Sequence, residues 1–174
     1  MPKSRQYDAR AEQIIRKLDL KPHPEGGFFR ETYRSIGKIR PDSLDLIYTG
    51  ERNHSTCIYF LLTSASFSAL HRIHQDEIWH FYDGSPIHLH TLSPEGYYTK
   101  TVIGRDIDKG ELPQVVVPGG TWFGATVVNE EEYSLVGCTV APGFDFRDFE
   151  PGERTDLAGK FPEHQEIIKR LTRD

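Results

Sequence analysis

Long apolar runs are missing from this 174-residue sequence, and so is any excess of basic charge. No segment approaches the roughly 20 consecutive apolar residues that cross a bilayer as a helix, so no membrane span is expected. Lys and Arg total 21 against 26 Asp and Glu, for a net charge of −5, and the bases are scattered among the acids. A nucleic-acid surface needs clustered cations to meet phosphates, so that partner is set aside. Cysteine is nearly absent. Cys57 and Cys138 each sit inside an apolar run, where they read as small buried hydrophobes rather than a disulfide or a nucleophile. There is no Gly-rich phosphate loop, no nucleophile elbow and no Cys-x-x-Cys pair, which removes the chemistries that those motifs announce. Met-Pro-Lys-Ser-Arg at the start leads into an amphipathic stretch and not an apolar one, so a cytoplasmic setting is expected, and the sequon at Asn53 is read as chance.

What is present is aromatic and β-branched. Ten Phe, eight Tyr and two Trp supply ample apolar surface for one core, and a single domain over 1–174 is expected. Ala11, Ile14, Ile15 and Leu18 recur at helical spacing and predict an amphipathic helix over 8–20, ended by Lys21-Pro22-His23-Pro24. A second helix is predicted over 163–173. Between them the period shortens to two, with strands predicted at 27–34, 56–62, 67–71, 77–82, 87–92, 97–103, 114–117, 121–128 and 133–140. Turns fall at Asp83-Gly84-Ser85-Pro86, Ser93-Pro94-Glu95-Gly96 and Pro118-Gly119-Gly120. Many short strands without intervening helices mean an all-β antiparallel sandwich or barrel. The polar stretch 35–54 reads as a long surface loop or hairpin.

The segment from His71 to Gly84 carries the chemistry. Side chains alternate along a strand, so Glu77, Trp79 and Phe81 share one face while Ile78, His80 and Tyr82 share the other. The Trp and Phe mark the inner wall. A carboxylate there is costly unless it is paired, metal-bound or protonated, and His71, ending the preceding strand, is the nearby partner. The pair reads as a metal-ligand set, as a base with its orienter, or as a buried structural hydrogen bond.

Glu77 with Gly84, then Pro118-x-Gly120, resembles the two motifs of the cupin superfamily. Its pattern runs His-x-His, Glu, Gly and later Pro-x-Gly-x-x-His. The fuller run, from Leu70-His71-Arg72 through Asp76-Glu77-Ile78-Trp79-His80-Phe81, Val116-Val117-Pro118 and Val140-Ala141-Pro142-Gly143-Phe144, is similar to the RmlC-like cupins called domain of unknown function 985, over about 21–150. That resemblance implies a double-stranded β-helix, or jelly-roll barrel, flanked by the two helices. It also implies a homodimer, since relatives pair N-terminal strands and open edges need cover. Two of the usual four metal-ligand positions depart from the pattern: Ile73 and Phe123 stand where histidines would. A stable transition-metal site wants three or more protein ligands, so neither metal nor other cofactor is expected. His74 lies one residue off the register of the inner face.

Glu25-Gly26-Gly27-Phe28-Phe29-Arg30-Glu31-Thr32-Tyr33 is similar to the N-terminal strand of the dTDP-4-dehydrorhamnose 3,5-epimerases, which are metal-free cupins. Phe29 and Glu31 match nucleotide-contacting positions, whereas Gly26 replaces an arginine. By this resemblance His71 is the base that removes a proton beside a carbonyl, with Glu77 or Asp145 to hold it. Trp79, Trp122 and Phe123 are expected to complete the pocket with Phe29 and Glu31, and Arg147 to meet an anionic ligand. His88 and His90 are expected to face solvent or a partner subunit, because Ile87 and Leu89 claim the inner wall. The implied function is a small-molecule-binding cupin for a sugar, nucleotide or nucleotide sugar, acting as an epimerase or isomerase. The alternatives are a metal-dependent oxygenase or isomerase and a non-catalytic module that binds a metabolite or a partner.

Overall fold

Period-two runs of Val, Ile, Thr, Phe and Tyr broken by glycine and proline turns form strands because the branched and aromatic side chains pack well on a pleated surface. A computed structural model, which describes residues 9–173, shows all nine predicted strands within one or two residues of their expected bounds. In chain order the strands are β1 (Lys21–Pro22), β2 (Phe28–Arg34), β3 (Lys38–Ile39), β4 (Arg52–Asn53), β5 (Thr56–Thr63), β6 (Phe67–Arg72), β7 (Asp76–Gly84), β8 (Ile87–Leu92), β9 (Tyr98–Ile103), β10 (Gln114–Val117), β11 (Trp122–Val127), β12 (Tyr133–Ala141) and β13 (Glu150–Pro151). The helices are α1 (Ala9–Lys17), α2 (Arg154–Lys160) and α3 (Gln165–Leu171). Residue 8, the first of the expected 8–20 helix, and the Met-Pro-Lys-Ser-Arg start lie outside the described residues, and α1 ends at Lys17, three residues earlier than expected. The expected 163–173 helix is shorter, and α2 precedes it.

Two antiparallel sheets face each other, ordered β1-β2-β5-β12-β7-β10 and β13-β6-β11-β8-β9. This is an all-β jelly-roll barrel. The stretch 35–54 is a hairpin, with β3 paired to β4. Phe60, Leu62, Trp79, Leu89, Phe123 and Val136 meet between the sheets as the main core. Both outer faces are also covered. Ala11 and Ile14 of α1 pack on Leu61 of the first sheet, while α2 and α3 seat Leu157, Ile168 and Leu171 on Leu70, Leu92 and Trp122 of the second. Double coverage explains why Ile58–Leu62 is an almost continuous apolar run. No helix among the described residues is long and apolar enough to cross a membrane.

Two devices fix the two ends of β7 in the barrel. Gly84 ends β7 at φ +93°, and a Cβ there would overlap the carbonyl oxygen of Tyr133, so only glycine fits. At the opposite end of β7, Arg52 and Asp148 form a buried bidentate pair, Nε to Oδ2 at 2.7 Å and Nη2 to Oδ1 at 2.5 Å, with Gln75 Nε2 also on Oδ2 at 2.7 Å. Their side chains are 1% exposed. The pair ties the β3–β4 hairpin to the segment after β12 and to the turn before β7, which holds the mouth of the barrel in shape.

Candidate functional site: a cavity in the barrel mouth

The barrel encloses a cavity of about 310 Å³. Its wall is aromatic, with Phe29, Phe60, Trp79, Phe144, Phe146 and Phe149, and its polar groups are few: His23, Glu31, Arg34, His71, Glu77 and Asp145 stand out. Rings meet mostly edge to face, Phe60 to Trp79 at 5.8 Å and Trp79 to Phe123 at 6.3 Å, which is the arrangement that their quadrupoles favour.

His71 projects from the end of β6, opposite Phe123 of β11 in register. It is only 6% exposed, with the Phe123 ring 4.2 Å away and the Phe149 ring 5.4 Å away. Its Nδ1 donates to the carbonyl oxygen of Ala69 at 2.7 Å. The expected His71–Glu77 hydrogen bond is therefore replaced: a backbone carbonyl orients the imidazole, because the ring edge bearing Nδ1 turns back along its own strand. Burial pulls the pKa of His71 down from 6.5 to about 4, the Ala69 bond opposes this, and nearby His23 adds to it. The ring is neutral at pH 7.

Glu77, the second residue of β7, lies between Val117 and Val140 of its neighbouring strands. It lies 8% exposed on the inner face, as the alternation predicts. Desolvation raises its pKa from 4.5 to about 7, against a smaller pull from Cys138 and Trp79. The Cys138 thiol is in turn pushed well up by burial and by Glu77.

At the mouth, Glu31 and Arg34 of β2 are bound to each other, Nη2 to Oε2 at 2.7 Å and Nε to Oε1 at 2.9 Å. Arg34 also donates to Asn53 Oδ1 at 2.9 Å and to the Phe144 carbonyl at 3.1 Å. Asp145 pairs with Arg147, Nη2 to Oδ2 at 2.8 Å, and this hydrogen-bonded guanidinium holds the carboxyl well below the usual range.

The structure brings His71, Glu77, Phe29, Glu31 and Trp79 together around the cavity and moves three expected pocket residues out. Trp122 is adjacent to Phe123, so strand alternation sends it to the outer face, where it packs under α2 and α3 with the Arg72 guanidinium 4.6 Å from its ring. Phe123 backs His71 in the core without lining the cavity. Arg147 turns to Asp145 and the Thr49 carbonyl, at 2.6 Å, and does not reach inward. His90 is corrected as well. It faces outward as expected but is only 2% exposed, bonded to Tyr98 Oη at 2.9 Å and Thr126 Oγ1 at 3.3 Å.

A family model, the cupin superfamily family DUF985, matches residues 12–151. This chain is a DUF985 cupin. Its relatives include the uncharacterized protein YML079W of Saccharomyces cerevisiae, 32% identical over 145 residues, spanning 79% of this chain and 72% of that one. Among solved structures, a hypothetical protein from Leishmania major superposes with a TM-score of 0.86 at 37% identity, over 94% of this chain and 99% of that one. Protein SO0799 from Shewanella oneidensis gives 0.84 at 38%, over 94% and 97%. Oxalate decarboxylase from Bacillus subtilis shares the fold alone, with a TM-score of 0.54 at 13% identity; the cupin spans 88% of its own length on 37% of that chain.

The metal centre familiar from other cupins does not fit these residues. Ile73 and Phe123 fill two of the four ligand positions with buried apolar side chains, and no group of three His, Cys, Asp or Glu among the described residues is arranged to hold an ion. Sequence reasoning missed His23, Phe60 and Arg34 as cavity residues. Arg34 lies three positions from Glu31, the wrong parity for a shared face, and joins it only through the bulge between Glu31 and Tyr33; Phe60 lies on β5, where no residue was assigned inward. His23 carried no signal: it lies in a proline-flanked turn whose path only the fold sets.

Proposed function

We propose that this cupin binds a small sugar-like carbonyl compound in the barrel and that His71 moves a proton at the carbon beside the carbonyl, as an epimerase or isomerase does. One observation carries the reading: a buried, neutral imidazole anchored through Nδ1, with Nε2 and its lone pair left for the cavity. His71 Nε2 takes the proton, the C–H electron pair forms the C=C bond of an enolate, and the carbonyl pair moves to oxygen. Return of the proton to the opposite face, or to the neighbouring carbon, gives the product. The developing negative charge raises the imidazole's basicity as it forms, which offsets the low resting value. Glu77, with a pKa near 7, supplies a second proton that is exchangeable at working pH.

Incubation of keto sugars with the protein in heavy water tests this directly. Deuterium should appear beside the carbonyl and should vanish in His71→Asn. A binding-only module is the second reading, favoured by the weak resting basicity of His71. Tight ligand binding with no exchange across the panel selects it.

A further inference from the structure

Two imidazoles on the cavity wall are held in opposite tautomers. His71 gives its Nδ1 proton to the carbonyl of Ala69, and a carbonyl only accepts, so Nε2 carries the lone pair. His23, in the turn after β1, does the reverse: the backbone N–H of Glu25 donates to its Nδ1 at 3.1 Å, so the neutral ring keeps its proton on Nε2. That turn is closed by His23 N–H to the Gly27 carbonyl at 2.9 Å and Gly26 N–H to the His23 carbonyl at 3.0 Å. The ring is further held by edge contacts to Phe29 at 4.8 Å and Phe60 at 5.6 Å. Both imidazoles line the cavity, and no described protein group bonds either Nε2. One wall thus presents a fixed donor and the other a fixed acceptor.

The charges around them say what can enter. Among the described residues Arg34 is the one lysine or arginine of the lining, and Glu31 already takes its guanidinium with two hydrogen bonds. Arg147, just outside, is taken by Asp145. A phosphate would meet no uncommitted cation here, because each guanidinium is already paired with a carboxylate. Burial keeps both histidines neutral at pH 7, with values near 4, so they offer hydrogen bonds without a positive charge.

We propose that the ligand is an uncharged hydroxy-carbonyl compound, held with its carbonyl oxygen on the His23 Nε2–H and its acidic C–H turned to His71 Nε2. The assignment rests on the proton-transfer reading above and adds the donor and the charge class of the ligand. In the step itself the C–H proton passes to His71, its electron pair becomes part of the enolate, and the enolate oxygen stays on the His23 N–H. Nothing is oxidised or reduced, and proton return restores both rings.

The test uses the whole protein labelled with nitrogen-15 histidine. Long-range proton–nitrogen spectra at pH 7 should show the Nδ1–H form at His71 and the Nε2–H form at His23; the same tautomer in both rings overturns the proposal. Dihydroxyacetone and 2-hydroxyacetophenone are then titrated as probes beside dihydroxyacetone phosphate. At least one neutral probe should shift the His23 Nε2 signal and bind about tenfold more weakly to His23→Phe, the loss of one neutral hydrogen bond. The spectral shift in the unaltered protein decides the matter if that variant does not fold. No shift at His23 with either neutral probe, undiminished binding to His23→Phe, or tighter binding of the phosphate each overturns the proposal. Deuterium uptake reads the other hypothesis: His23-dependent binding without uptake removes the base role of His71 and leaves the ligand assignment standing.

Discussion

Replacing Glu77 by Gln should stabilise this cupin, and only above mildly acidic pH. The folded chain keeps the Glu77 proton up to about pH 7 because the carboxyl is desolvated, whereas the unfolded chain releases it near 4.5. Between those values the folded state binds more protons, so stability falls as pH rises, and the full cost is present above pH 7. Each pKa unit is worth about 1.4 kcal/mol, which sets an upper value of about 3.5 kcal/mol. Glu77 lines the cavity and keeps 8% exposure, which relieves part of the desolvation, so about 2–3 kcal/mol is expected. Glutamine keeps the shape without the charge. Urea unfolding of both proteins at pH 5, 6, 7 and 8 gives the measurement. The gain of Glu77→Gln should be smallest at pH 5, about a quarter of its full value, and should grow progressively to pH 8. Glu25, also raised to about 7 by burial, is common to both and cancels. A difference that does not change with pH, or a less stable Glu77→Gln at pH 8, would refute the burial argument.

Removal of a buried charge partner acts in the other direction. Asp148→Ala strands the Arg52 guanidinium and should cost about 3–5 kcal/mol in chemical denaturation, partly recovered when Arg52 is also replaced by Met. Trp122→Ala should cost about 3–5 kcal/mol through the hole left under α2 and α3, yet leave ligand affinity unchanged in the variant that remains folded, since Trp122 is outside the cavity. Gly84→Ala should lower stability by at least about 1 kcal/mol, read as a lower melting temperature, because φ +93° and the Tyr133 carbonyl both oppose a Cβ. His71 is neutral when folded, with a pKa near 4 against 6.5 unfolded, so its contribution is complete above pH 6.5 and is lost as pH falls towards 4. A His71→Phe variant should show a shallower stability loss over that interval than the unaltered protein; equal slopes would contradict the assignment.

Some of this was legible in the residues alone. Strand positions were readable because alternation and turn residues are local signals: β8 and β10 fall on their expected residues. The inward face of β7 was readable for the same reason, which placed Glu77 and Trp79 on the wall before any fold was known. Alternation also warned that Trp122 and Phe123 cannot share a face, and assigning both to the pocket set that rule aside. The absence of two metal-ligand histidines was likewise a property of the sequence.

The tertiary structure decided what each of those side chains meets. Which atom orients His71 depends on a side-chain rotation towards the Ala69 carbonyl, and no spacing rule distinguishes that from a bond to Glu77. The neutralisation of Arg34 and Arg147 depends on partners only two or three residues away, but their aim is set by the strand bulge in β2 and the turn after β12. His23 joins the cavity because β1 pairs with β2 and folds the turn over the barrel mouth, a long-range consequence of sheet order. Composition and period fix which residues are buried, since burial is a one-dimensional pattern of apolar faces. Tautomer, charge pairing and pKa are set by distances between segments far apart in the chain, and those exist only once the barrel has closed.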